Sequence, residues 1–366
     1  MDKKSSKKYG WFIGVDVSRN KLDFAVMKAK VVLFHREIPN SLESIKDFIK
    51  ELKMQQGFTI SKAIFCLEST GFYSNHLLQV LHRFKANIVI ENAVKIKNSP
   101  GNMRGKNDKI DAVRIAAYAS LHHENLRFWF PRRPVIDQLA ELTTLRLRLR
   151  VLYGSLTTPV KEQQAFVKKK VARENAQLCS RSIEAVKLDL LDVDEAILRV
   201  INEDEQLCRL RDLIVSVDYV GVVTATEMLI CTNEFRDIID PKKFACYAGV
   251  APFPKESGKA RVKSRVSHLA NKKMKSLLHL CALQAMRHSP ELRPYFLRKV
   301  EQEGKPKMAV LNALRYKLIL RIFACVNQNR KFEKTYVNSH VKKLKGIESE
   351  SFASGKEERE TITDVL

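Results

Sequence analysis

No run of about 18 apolar residues occurs in this 366-residue chain, so no segment predicts a bilayer-spanning helix. The start, Met1 to Lys8, is basic, but no apolar core follows it, which argues against a secretory leader. No two cysteines stand in a CxxC spacing. The seven (Cys66, Cys179, Cys208, Cys231, Cys246, Cys281 and Cys325) are scattered and odd in number. That pattern argues against a structural zinc site and fits reduced thiols in a cytoplasmic protein. The nine histidines show no ligand spacing either; His122 and His123 are neighbours that diverge on a helix and read as surface. Negative charge is also scarce. Asp and Glu number 41 against 65 Lys and Arg, leaving a net charge of +24. So large an excess points to a polyanionic partner, nucleic acid before membrane. Hydrophobic residues make up 45% of the chain, enough for real cores, and the length leaves room for two or three domains.

The first of these reads as mixed α/β. Trp11 to Ser18 is a short apolar run with Asp16 near its end, the pattern of a strand buried on both faces. Arg19-Asn20-Lys21 makes a turn, and Leu22 to Met27 and Val31 to Ile38 follow as strands of a meander. Asn40 to Met54 reads as an amphipathic helix with Ile45, Phe48, Ile49 and Leu52 on one side. Ala63 to Leu67 is a fourth strand, Tyr73 to Phe84 a helix, and Asn87 to Ile90 a fifth strand. Asn92 to Asn107 is polar and basic and reads as a mobile loop.

Four acids stand out along this path. Asp108 and Asp111 are three apart at the start of a helix marked by Ala112, Ile115, Ala116 and Ala119, so they share a face. Side by side they repel unless a cation lies between them, and hard oxygen donors suit Mg²⁺ or Mn²⁺. The plain alternative is a helix start whose dipole favours acids. Asp16 in a buried strand is costly unless paired or metal-bound. Glu68 sits at the carboxyl end of the fourth strand, where α/β sheets gather functional groups. Singly, each passes for an ordinary turn acid. Jointly they occupy the places one metal site needs. Three strands, helix, strand, helix, strand, helix is the order of a ribonuclease-H-like domain.

From Pro131 and Pro134 the chain turns helical. Leu142, Leu145, Leu149, Leu152 and Leu156 alternate in steps of three and four. Thr157-Thr158-Pro159 interrupts them. A second set (Val186, Val193, Val200, Leu207, Ile214) recurs every seven residues. The expectation is an antiparallel helical pair or an intermolecular coiled coil, with plain bundle packing as the alternative. Gly221 opens a further helix, whose N–H groups suit a phosphate or simply form a helix start. Then comes an extended, proline-held loop, Val250 to Lys259, carrying Ser257. Lys259, Arg261, Lys263, Arg265, Lys272 and Lys273 follow as a cationic trough that, with Lys106, suits nucleic acid. An exposed loop serine is most often a turn residue. No His–Asp pair stands nearby for acyl chemistry. Toward phosphorus the case differs, because metal ions and cations stabilise the pentacoordinate transition state.

Gly14-Val15-Asp16-Val17-Ser18, Leu67-Glu68-Ser69-Thr70-Gly71 and Lys106-Asn107-Asp108-Lys109-Ile110-Asp111-Ala112 resemble the three N-terminal motifs of bacterial insertion-sequence transposases with a RuvC-like DEDD domain. The pilin-gene invertases are relatives of that family. Tyr247 to Pro252 with Ser257-Gly258, then Ser267 to Met274, resemble its C-terminal domain. Asn107 and His268 depart from the usual pattern, the latter where Lys is common, so His268 receives no role. The resemblance implies an α/β, RNase H-like (RuvC-like) domain over residues 1–130 and a helical coiled-coil spacer over 131–215. A mainly α C-terminal domain over 216–327 completes the expectation, and beyond the resemblance the polar, basic and then acidic stretch 328–366 reads as a disordered tail. The resemblance implies Asp16, Glu68, Asp108 and Asp111 as metal-binding acids and Ser257 as nucleophile, with Mg²⁺ or Mn²⁺ as cofactor. Its partners would be donor and target DNA, a structured bridging RNA, and further copies of the chain in a dimer or tetramer. The rivals are a metal-dependent nuclease or junction resolvase, a site-specific DNA invertase, and a non-catalytic nucleic-acid-binding protein on the same fold.

Overall fold

The computed structural model describes residues 9–69, 71–99, 107–257, 260–267 and 269–333, with backbone alone for 254–257 and 260–265. The chain forms two compact units that meet in sequence at Pro131 and Arg132. The tail expected beyond 328 lies outside the described residues from position 334 onward.

The first unit is a five-stranded mixed sheet. Its elements run β1 (Trp11–Val17), β2 (Lys21–Lys28), β3 (Val31–Pro39), α1 (Leu42–Met54), β4 (Ala63–Glu68), α2 (Asn75–Arg83), β5 (Asn87–Glu91), α3 (Ala93–Asn98) and α4 (Asp108–His122). The strand order is β3-β2-β1-β4-β5. The first three strands pair antiparallel, while β4 pairs parallel with both β1 and β5. This mixed sheet is consistent with a DEDD nuclease-like domain. Two details differ from the sequence reading. Lys21 belongs to β2 rather than to the turn. A short helix, α3, also forms within the expected loop, because Asn92 caps it by accepting from the Val94 N–H at 2.9 Å. The rest of that loop, 100–106 with Lys106, lies outside the described residues.

Alternation along the strands sorts the side chains onto two faces. Ile13, Val15, Leu22, Phe24, Phe65 and Leu67 pack under α1 and α2. Ser41 starts α1 by accepting from the Ser44 N–H, and Ile45, Phe48, Ile49 and Leu52 are buried on this side. Each such side chain contributes about 1.5–3 kcal/mol through burial. Phe12, Ala25, Ile64, Cys66 and Val89 face the other way and pack under α4 with Ala112, Ile115, Ala116 and Ala119. Gly14 makes that close packing possible. A Cβ there would stand 2.1 Å from the Ala112 carbonyl oxygen and 2.3 Å from the Ala116 nitrogen. The backbone of α4 therefore crosses directly over β1.

The second unit opens with two long helices, α5 (Pro134–Phe166) and α6 (Lys169–Asn202). Asn175 bonds Gln163 near their junction and Arg146 bonds Asp194 far from it, so the pair is antiparallel. Pro159 lies inside α5, and the break falls at Val167–Lys168, not at Thr157–Pro159. The seven-residue series also spans two helices. Asp204 ends the run and caps α7 (Glu205–Val215) by accepting from the Leu207 N–H at 2.9 Å. The leucine series on α5 is only half covered: Leu142 and Leu149 pack on the core, while Leu145 and Leu152 are exposed. Of the arrangements expected from the sequence, the antiparallel helical pair is the one present.

The remaining elements are α8 (Val222–Thr232), α9 (Pro241–Tyr247), β6 (Pro252–Ser257), β7 (Ala260–Val266), α10 (Lys272–His288), α11 (Leu292–Leu297) and α12 (Lys307–Gln328). Phe244, Met274, Leu278, Ala282, Leu314, Leu318, Ile322 and Phe323 fill their common core. The segment read as an extended loop is a β-hairpin, with β6 and β7 antiparallel. Among the described residues no helix is long and apolar enough to cross a membrane.

Candidate active site

The acids of the first unit lie on the face of the sheet that α4 covers. Asp16 is next to last in β1, in step with Phe12 and Gly14. Glu68 ends β4 in step with Ile64 and Cys66. Asp108 and Asp111 occupy the first turn of α4, which Asn107 caps by accepting from the Ile110 N–H at 2.8 Å. Because α4 crosses at Gly14, its first turn reaches toward the end of β1 where Asp16 sits. The electrostatics register this convergence. Burial, and then the negative charges of Asp108, Asp111, Asp23 and Glu68, push the Asp16 carboxyl up to about 6. Burial and then Asp111 raise the Glu68 carboxyl as well.

The structure adds residues that the motif reading missed. Asp23 pairs directly with Asp16 across the β1–β2 ladder. It is 3% exposed and bonded to the His35 Nε2 at 2.8 Å. Glu37 on β3 pairs with Asp23, and Glu91 on β5 pairs with Glu68. Lys21, two residues before Asp23 and so on the same face, directs its ammonium into the group. Its Nζ lies 2.8 Å from Glu37, 2.9 Å from Asp108 and 3.4 Å from Asp23. The Lys21 hydrogen bond holds the Asp108 carboxyl below the usual carboxylate range. Asp111 is paired with Arg114 at 2.8 Å, and Glu91 with Lys95 at 3.0 Å. Alternation could have revealed Lys21, Asp23 and Glu37, since cross-strand partners share a face.

As the side chains stand, no three His, Cys, Asp or Glu groups among the described residues are close enough to hold a metal ion together. The two α4 carboxylates are engaged by Lys21 and Arg114 instead. The donor chemistry nonetheless fits a hard divalent cation. All candidate donors are carboxylate oxygens, they share one sheet face, and an ammonium already sits among three carboxylates of the group.

In the second unit, Ser257 is the last residue of β6 and pairs with Ala260 of β7. It closes the described part of the hairpin, and Lys259 lies outside the described residues. Arg261, Lys263 and Arg265 alternate along β7. The base of the hairpin is anchored twice. Asn312 of α12 donates to the Val250 carbonyl at 2.5 Å. Asn271, which caps α10, donates its side-chain amide to the Tyr247 hydroxyl at 2.7 Å. Gly249 has φ +63, a left-handed conformation that suits glycine where the chain turns into the hairpin. Lys272 and Lys273 begin α10, but Lys273 is committed to Glu227 at 2.5 Å. With Arg146 and Arg150 they rim a largely apolar cavity of about 650 Å³ between α5, α6, α8 and α10.

Comparison with known proteins first defines a class. Residues 13–158 match the DEDD domain family of IS110, described as "Transposase". Residues 211–297 match the family described as "Transposase IS116/IS110/IS902 family". Both units thus carry transposase/recombinase signatures, which define a DNA-processing enzyme. The chain belongs to the IS110 family of insertion-sequence transposases and recombinases. It is also similar to the pilin gene-inverting proteins of Moraxella bovis and Moraxella lacunata. Each is 24% identical over 328 residues, spanning 88% of this chain and 98% of the relative.

Proposed function

We propose that the protein cuts and rejoins the DNA of a mobile element through a covalent serine–phosphate intermediate, with the help of a divalent metal. The observation that carries the reading is the placement of Asp16 and Glu68 at strand ends on the sheet face that α4 covers, with Asp108 and Asp111 in the first turn of that helix. In this reading those four carboxylates hold Mg²⁺ or Mn²⁺. The metal, when bound, supplies positive charge that stabilises the phosphoryl transition state. The Ser257 hydroxyl forms the new Oγ–P bond as the P–O3′ bond breaks, and the departing 3′ oxygen takes a proton to become a free 3′-hydroxyl. Rejoining reverses the exchange, so no phosphodiester is lost in sum. Arg261, Lys263, Arg265, Lys272, and the Lys106 and Lys259 outside the described residues, neutralise DNA phosphates around the reacting strand. The family resemblance supports a bridging RNA that selects the DNA by base pairing. It also supports a dimer or tetramer in which Ser257 acts within its own chain or in a neighbour.

The test is denaturing electrophoresis of the protein with labelled donor DNA, flanking RNA and Mg²⁺. A shifted protein–DNA band should appear, vanish with Ser257→Ala, and vanish with Asp108→Ala. Cleavage that survives Ser257→Ala would replace this reading with a metal-dependent nuclease or resolvase. The pilin gene-inverting relatives favour a second reading, in which the same chemistry inverts a segment between two sites. A plasmid carrying paired sites in both orientations, scored for inversion against insertion, separates the two.

A further inference from the structure

We infer that Lys21 is the resident counter-cation of the acidic cluster and competes with the divalent metal for Asp108. The inference rests on the metal-site reading above. Lys21 is held for this position from its backbone outward. Its carbonyl accepts from both the Ser18 N–H (3.1 Å) and the Ser18 hydroxyl (2.9 Å), which locks the turn between β1 and β2. Its side chain then reaches carboxylates from three elements: Asp23 of β2, Glu37 of β3 and Asp108 of α4. Charge is shared unevenly around it. Asp108 and Asp111 each hold a cationic side chain. Asp16 and Glu68 make no ion pair among the described residues, and it is their carboxyls that are raised. Two of the four acids thus hold a protein cation and two do not. A divalent cation drawn to Asp16 and Glu68 gains Asp108 only when the ammonium gives it up. Lys21 keeps Glu37 and Asp23 when it does, so the exchange needs no unfolding and no stranded charge.

The experiment measures Mn²⁺ binding to the full-length, DNA-free protein by electron paramagnetic resonance. Lys21→Met should bind Mn²⁺ roughly three- to tenfold more tightly than wild type, the scale of a lost partly exposed ion pair. Lys28→Met is the control. It removes one positive charge from the far end of the same strand, where the ammonium lies over Trp11, and should leave the affinity unchanged. Lys21→Gln serves if the methionine variant folds poorly, judged by circular dichroism and melting in EDTA. An affinity that stays the same or weakens in the Lys21 variants overturns the inference, as does an equal gain in Lys28→Met. Failure of the underlying reading looks different: wild-type Mn²⁺ binding would then be absent or insensitive to Asp16→Asn.

Discussion

At the scale of single residues, the site is governed by where charge is left uncompensated. Asp16 shows this most directly. Its carboxyl is raised to about 6, so the folded state holds the proton more tightly than the unfolded chain, whose value is about 4. Its contribution to stability is therefore complete below about pH 4 and is lost as the pH climbs through about 6. In metal-free protein, Asp16→Asn should melt at a higher temperature than wild type at pH 8 and show no such advantage at pH 4. Differential scanning calorimetry across that range decides it. Gly14 matters through what it lacks. Gly14→Ala would drive a methyl group into the α4 backbone and should cost about 3 kcal/mol, read as a lower urea midpoint. If the fold survives, α4 shifts and Mn²⁺ affinity drops with it. The places of the four acids at strand ends and a helix start were legible in the sequence, because those are local features. Lys21 was assigned to the turn instead; strand alternation places it on the face of Asp23 and Glu37, but its contact with Asp108 depends on where α4 crosses the sheet.

Elements bring a second kind of dependence, in which one side chain joins segments far apart in the chain. Arg133, just before α5, grips Asp204 at 2.7 Å and Glu234 at 2.5 Å. The Glu234 side chain is fully buried, so Arg133→Ala leaves its carboxylate with only the more distant Arg236, 3.8 Å away. We expect a loss of about 2–3 kcal/mol by chemical denaturation, the scale of lost hydrogen bonds to a charged group. The Asn312 bond to Val250 anchors the Ser257 hairpin in the same manner. Asn312→Ala should cost about 1–2 kcal/mol and loosen β6. Hydrogen exchange at the β6 and β7 amides should quicken while that of α5 and α6 stays unchanged. The amphipathic pattern of Asn40 to Met54 located α1 closely. Helix periodicity failed where a pattern outran its element, as in the sevenfold series that Asp204 divides. It also failed at β6 and β7, whose two prolines and alternating cations read as a loop until the strands pair.

The whole molecule is a strongly basic chain of two units, and its charge of +24 sets how it meets DNA. Binding measured by fluorescence anisotropy should weaken steeply with salt, roughly a thousandfold between about 50 and 200 mM if some six phosphates are neutralised. Affinity that ignores salt would remove the cationic-trough assignment.

Composition and motifs alone determined the kind of partner and the class of the N-terminal domain, since each is written in residue types at short spacing. Tertiary structure decided which carboxylates hold a protein cation and which do not. That choice turns on distances of about 3 Å between residues as far apart in sequence as Lys21 and Asp108, and only the folded sheet sets such distances.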